Sequence, residues 1–184
     1  MPVVICLLRG VNVGGHGKIK MDVLRALCES VGAENPQTYI QSGNVVFKIK
    51  ERNLKQLAGK IEDAIESKAG FRPDIVLRTA TELAETLTKN PFAKCRDIHP
   101  SKLLITFLAV EPSAAALKEL AKIEPGPEEM KVSGKEVFIY FPDGMGRSKF
   151  PWSRVSKILG STGTGRNWNT ANKLLEMARK LETS

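Results

Sequence analysis

Between Val3 and Thr79 strand and helix patterns alternate in an order that few folds accept. Pro2-Val3-Val4-Ile5-Cys6-Leu7-Leu8 is a short continuous apolar run ended by Arg9-Gly10, as expected of a strand buried on both faces. A glycine-rich loop over residues 10–17 follows, then Met21, Leu24, Leu27, Cys28 and Val31 recur at helical spacing until Gly32 offers a stop. Thr38-Tyr39-Ile40 and Val45-Val46-Phe47-Lys48-Ile49 are β-rich runs separated by the turn residues Gln41-Ser42-Gly43-Asn44. Leu54, Leu57, Ile61 and Ile65 mark a second amphipathic helix closed by Gly70, and Asp74 to Arg78 is the next strand. The order is β-α-β-β-α-β, the split βαβ or ferredoxin-like arrangement, an antiparallel sheet with two helices on one face.

The pattern then restarts. Thr81 caps a helix reaching Thr88, which Asn90-Pro91-Phe92 breaks, and residues 93–102 read as a connector. Leu103 to Leu108 is a strand, Ser113 to Ile123 a helix, and Met130-Lys131-Val132 pairs through Ser133-Gly134 with Val137 to Phe141. After this second β-α-β-β order the sequence predicts a helix from Ser148 to Leu159, a glycine-rich loop, and a last helix from Asn169 to Leu181 capped by Asn169. The expected organisation is therefore an α+β chain: a ferredoxin-like unit over 1–79, a helical connector over 80–102, and a related unit over 103–184 ending in two helices. No sequence repeat links the two units.

Composition narrows the function classes. At 184 residues, 42% apolar and 26% charged, the chain is globular by composition, which excludes disordered and disulfide-scaffold classes. The apolar run nearest the start, Val3 to Leu8, is too short for a membrane span or a signal-peptide core, so a soluble cytoplasmic protein is expected. Three cysteines cannot all pair, and Cys6 and Cys28 fall inside apolar patterns, which points to thiols in a reducing compartment. The net charge of +8 is unevenly placed: residues 1–144 carry a net +2 and residues 145–184 a net +6. A basic segment concentrates anionic partners.

Two loops have the composition of an anion cradle. Residues 9–20 hold Arg9, Asn12, Gly14, Gly15, His16, Lys18 and Lys20 and no acid, and open into a helix whose N-terminus favours negative charge. The spacing is not that of a phosphate loop, because His16 and Gly17 stand where Lys and Ser/Thr would follow Gly15. Residues 160–170, with Arg166, Asn167 and Asn169, repeat the same logic. The hairpin residues Gln41, Ser42 and Asn44 add polar groups that serve either the turn itself or a ligand. Arg147, Lys149, Arg154 and Lys157 surround Phe150 and Trp152, a mixture that suits either base stacking or a solvated helix face. Arg9, Lys18 and Arg166, with Asn12, Asn44 and Asn169, are expected to converge on one concave face.

Catalytic groupings are thin. Cys95 and His99 lack the further ligands a metal needs, and no serine or carboxylate partner is identifiable for His16 or His99. Glu62, Asp63 and Glu66 read as the solvated side of an amphipathic helix. No catalytic residue, metal or cofactor is assigned.

Leu8-Arg9-Gly10-Val11-Asn12-Val13-Gly14-Gly15, Lys20-Met21, the run from Thr38 to Phe47, Asn90-Pro91-Phe92 and Arg166-Asn167-Trp168-Asn169-Thr170 together resemble a bacterial family, domain of unknown function 1697. Gly165 stands where that family often has threonine. The resemblance implies a single-chain α+β bacterial protein and brings no established activity. The function expected from the residues is binding of a phosphate-bearing ligand, nucleic acid or nucleotide, through the two basic glycine-rich loops. Two alternatives stand beside it: an enzyme acting on a phosphorylated or nucleotide substrate, and a protein-interaction module with a basic face. No protein partner or oligomeric state is specified by the residues.

Overall fold

A computed structural model describes residues 1–184. The chain divides into two compact units, Met1–Glu85 with Asn172–Ser184, and Thr86–Ala171. Each contains a four-stranded antiparallel sheet.

In the first unit the elements are β1 (Val3–Leu8), α1 (Met21–Ser30), β2 (Glu34–Thr38), β3 (Asn44–Lys48), α2 (Leu54–Ala69) and β4 (Ile75–Thr79), with strand order β2-β3-β1-β4. This is the ferredoxin-like order that the sequence predicts. Leu24 and Cys28 of α1 and Leu57, Ile61 and Ile65 of α2 meet Val4, Cys6, Leu8, Val45, Phe47, Ile49 and Leu77 in one core on one sheet face. Spacings of four along α2 put its three anchors on one stripe. Asn53 caps α2 by accepting from the Gln56 amide, and Gly70 ends it in the left-handed conformation. Every residue of β1 is buried, as its unbroken apolar run requires.

The strand expected at Thr38–Ile40 lies earlier, at Glu34–Thr38, and includes Pro36. β2 is an edge strand and its register shifts between Glu34 and Gln37, so proline removes no essential ladder bond.

The second unit contains β5 (Leu103–Leu108), α4 (Ala114–Leu120), β6 (Glu129–Ser133), β7 (Glu136–Tyr140), α5 (Trp152–Leu159) and β8 (Gly163–Asn167), in the order β6-β7-β5-β8. Leu104, Leu108, Leu120, Val137, Ile139, Phe141, Phe150 and Val155 form its core. The helix α3 (Ala80–Thr88) and the final helix α6 (Trp168–Thr183) follow β4 and β8 directly.

Four sequence expectations change here. The glycine-rich stretch before the last helix is not a loop throughout: Gly163–Asn167 is β8, a full fourth strand, so the second unit completes the β-α-β-β-α-β order. A Cβ on Gly163 would lie 2.9 Å from a Leu108 methyl, and one on Gly165 3.2 Å from Leu104, so these glycines let β8 approach the leucines of β5. α5 begins at Trp152 rather than Ser148, because a residue before Pro151 is pushed out of the helical region. α6 is capped by Asn167, whose Oδ1 accepts from the Thr170 amide at 2.8 Å, and not by Asn169. α3 is capped by Thr79, not by Thr81: the Thr79 hydroxyl accepts from the Glu82 amide while the Glu82 carboxylate accepts from the Thr79 amide, a reciprocal capping box.

Candidate functional site

The first basic loop is a small hairpin built on its own backbone. Asn12 N–H donates to Gly17 O at 3.0 Å and His16 N–H to Val13 O at 3.1 Å. Gly14 and Gly15 form the tip, both at positive φ, as a two-residue turn of the primed kind requires. At Gly17, φ is +60° and a Cβ would stand 2.4 Å from the Gly10 carbonyl oxygen, so only glycine closes the loop.

Asn12 then fastens this loop to its neighbours. Its Nδ2 donates to Ile19 O and to Gln41 O, both at 2.9 Å, and its Oδ1 accepts from Ile19 N–H at 3.0 Å. With both amide protons engaged, Asn12 frames the site. Asn44 is fully buried; its Nδ2 donates to Tyr39 O and Ser42 Oγ, each at 3.1 Å, and so shapes the turn. Ile40 sits in that turn at φ +50° while 52% exposed, a strained setting for a β-branched side chain.

These ties open a concavity of about 800 Å³ lined by Asn12, Gly15, Lys18, Ile19, Lys20, Met21, Asp22 and Gln41. Lys20, Met21 and Asp22, at the N-terminus of α1, are among its lining residues. Lys20 occupies the cap position without a side-chain cap, and the first intrahelical bond is from Leu24 N–H to Lys20 O, so the Met21, Asp22 and Val23 amides have no partner within the helix. Lys18 and Lys20 are exposed, and Asp22 is the one carboxylate among the lining residues. Asp22 was outside the acid-free stretch that defines the loop in the sequence, and Lys20 gains its importance from the cap position. The geometry can hold an anionic group against the helix end and an apolar body against Ile19 and Met21.

The other sequence candidates are not among the residues that line this concavity. Arg9 is not among the lining residues; its guanidinium lies 3.6 Å from the Asp74 carboxylate, where β1 ends beside the start of β4. Ser42 is half-buried in the hairpin. Arg166, Asn167 and Asn169 belong to the second unit. Arg166 is only 8% exposed, and its guanidinium donates to Thr164 Oγ1 at 2.7 Å and Gly165 O at 2.8 Å. Asn167 is the α6 cap and Asn169 is exposed.

Two side-chain clusters differ from expectation. Arg72 draws Glu62, Asp63 and Glu66 together, with 3.0 Å contacts to Glu62 and Glu66, and the neighbouring carboxylates raise its guanidinium pKa. Asp63 and Glu66 stay on the solvent side of α2, as expected, and what the sequence pattern does not show is the shared partner Arg72. His99 does have a serine partner: Ser101 Oγ lies 2.7 Å from Nδ1, an exposed contact that a sequence separation of two residues had concealed. All three cysteines are free thiols; burial pushes the Cys28 thiol up to about 12, with Glu29 adding to the effect, and Cys95 is exposed.

Two ferredoxin-like sheets in one chain, with a glycine hairpin leading to an uncapped helix, define the class: a tandem α+β protein with a concavity at the start of α1 in its first unit. The chain belongs to the family described as protein of unknown function (DUF1697), whose family model matches residues 1–138. It is similar in fold to the conserved bacterial protein SP0830 from Streptococcus pneumoniae, with a TM-score of 0.70 and 22% identity over 96% of this chain and 98% of that one. No curated protein matches the sequence. No helix is long and apolar enough to cross a membrane.

Proposed function

We propose that this protein binds a small phosphate-bearing ligand of the nucleotide type in the concavity at the start of α1. The observation that carries the proposal is the first turn of α1, whose first three amides have no helical partner and whose Met21 and Asp22 line a space of about 800 Å³ together with the exposed Lys18 and Lys20. That volume is in the range of about 300–1,000 Å³ usual for small-molecule sites. Helix-end amides and dipole favour a phosphate, the lysines add charge, and Ile19 and Met21 offer apolar contact to a sugar or base. Asp22 disfavours the most highly charged ligands, which makes a monophosphate a better fit than a triphosphate. The three free thiols agree with a cytoplasmic setting.

Thermal unfolding with a panel of nucleotides and sugar phosphates tests the proposal. A ligand at about 100 times its Kd should stabilise the fold by about 2.7 kcal/mol, a rise in Tm of roughly 5–10 °C for a chain of this size. The rise should vanish in the Lys18→Ala/Lys20→Ala variant. No rise with any phosphate compound at millimolar concentration would overturn the proposal.

A further inference from the structure

The second unit carries a basic surface on α5 and the segment leading into it. Residues 144–175 contain no Asp or Glu, and within them Arg147, Lys149, Arg154 and Lys157 are exposed and take part in no ion pair or side-chain hydrogen bond. α5 turns Val155 into the core and leaves Ser153, Arg154, Ser156 and Lys157 outside. Arg154 and Lys157 are neighbours at i and i+3, a like-charge pair that is not offset by any acid on α5.

An aromatic side chain lies in the same stretch of chain, between Lys149 and Arg154. Trp152 stacks on Phe141 with ring centroids 6.0 Å apart and meets Phe150 edge-on at 4.8 Å, yet 38% of it remains exposed. The indole is held by the core and still presents surface to solvent. A ring already fixed in place loses little conformational entropy on stacking against a ligand. Beside it, the Ser153 and Arg154 amides precede the first intrahelical bond of α5, from Val155 N–H to Pro151 O.

We infer that the outer face of α5 and the segment leading into it bind single-stranded nucleic acid, with Trp152 as the base-stacking platform and Arg147, Lys149, Arg154 and Lys157 as phosphate contacts. Cations around an aromatic platform are what backbone-tracking, sequence-tolerant recognition needs, and a base is free to stack only when it is unpaired. A lipid surface fits less well, because the apolar stripe of α5 is spent in the core and the outward face is polar apart from Trp152. An acidic protein would satisfy the charges and leave the indole unused.

Fluorescence anisotropy with a labelled 15-nucleotide oligothymidylate, its duplex form, and polyglutamate as competitor tests this. The single strand should bind more tightly than the duplex. With three or four phosphates engaged, affinity should fall roughly 20- to 50-fold between 50 and 200 mM salt, from a slope of about 0.7 per phosphate. Arg154→Glu/Lys157→Glu, at exposed positions, should lose binding at least tenfold with Tm unchanged and the thermal response to nucleotides intact, which separates this surface from the α1 concavity. Trp152→Leu should lose about tenfold, in line with the usual worth of one stacked base. Equal affinity for duplex and single strand, displacement by polyglutamate as effective as by unlabelled oligonucleotide, or full binding by the charge-reversed variant would overturn the inference.

Discussion

Arg78 and Arg166 occupy the same place in two sheets. Each is the fourth residue of an edge strand and lies opposite the third residue of a central strand, Ile5 and Ile105, and each donates to the carbonyl of the residue before it. The residue after each arginine, Thr79 or Asn167, caps the helix that follows by accepting from an amide three positions on. The two units thus share not only strand order but one local device: edge strand, buried arginine, cap, helix. Its consequence is that Arg166 supports the fold. Arg166→Met should cost about 1–3 kcal/mol by leaving Thr164 Oγ1 and Gly165 O short of a donor, read as a lower midpoint in urea unfolding. An unchanged midpoint would contradict the structural role.

Asn12 and Lys18 should separate frame from contact. Asn12→Ala removes three hydrogen bonds that hold the loop to Ile19 and Gln41, so it should lower stability by about 1–3 kcal/mol and weaken the nucleotide response together. Lys18→Ala, at an exposed position, should leave stability within about 0.5 kcal/mol and weaken only the response. Paired urea titrations and thermal scans measure both.

Ile40 should be replaceable with profit. Its φ of +50° is one that asparagine tolerates and a β-branched residue does not, and the side chain is half exposed. Ile40→Asn should raise stability by about 0.5–1 kcal/mol, seen as a higher Tm. A fall in Tm would mean that the isoleucine makes packing contacts that outweigh the strain.

Cys28 makes stability fall in alkali. Burial holds its thiol neutral in the fold up to about 12, whereas the unfolded chain releases that proton near 9, so the folded state binds more protons between those values. The contribution is complete below about pH 9 and is lost as pH rises toward 12, by roughly 1.4 kcal/mol per pH unit within that window. Between pH 9 and 11 the wild type should therefore lose more stability than Cys28→Ala. Equal losses would show that Cys28 does not titrate in this way. At pH 8, a thiol reagent should label Cys95 in the folded protein and reach Cys6 and Cys28 only on unfolding.

The sequence makes the first unit legible because its strands and helices carry their own periodicity: unbroken apolar runs for β1 and β3, and a stripe at Leu57, Ile61 and Ile65 for α2. β8 escapes such a reading. Gly-Thr-Gly-Arg-Asn has no apolar alternation, and its glycines serve the leucines of β5 rather than a loop, a need visible only once the two strands lie side by side. The same pairing buries Arg166, which in the sequence resembles a loop cation. The concavity was half legible. Its glycines, Asn12 and Lys18 stand out in sequence, while Asp22 and the uncapped turn of α1 depend on where the helix starts, and that is fixed by Asn12 reaching across to Ile19 and Gln41.

The claim that a phosphate-bearing ligand seats on the first turn of α1 is tested most directly by following backbone amide resonances during titration with adenosine monophosphate and with inorganic phosphate. Saturable shifts of Gly15, Lys18, Met21, Asp22 and Val23, lost in Lys18→Ala/Lys20→Ala, are the expected result. Unmoved α1 amides at millimolar ligand, or shifts gathered on β8 instead, would contradict it.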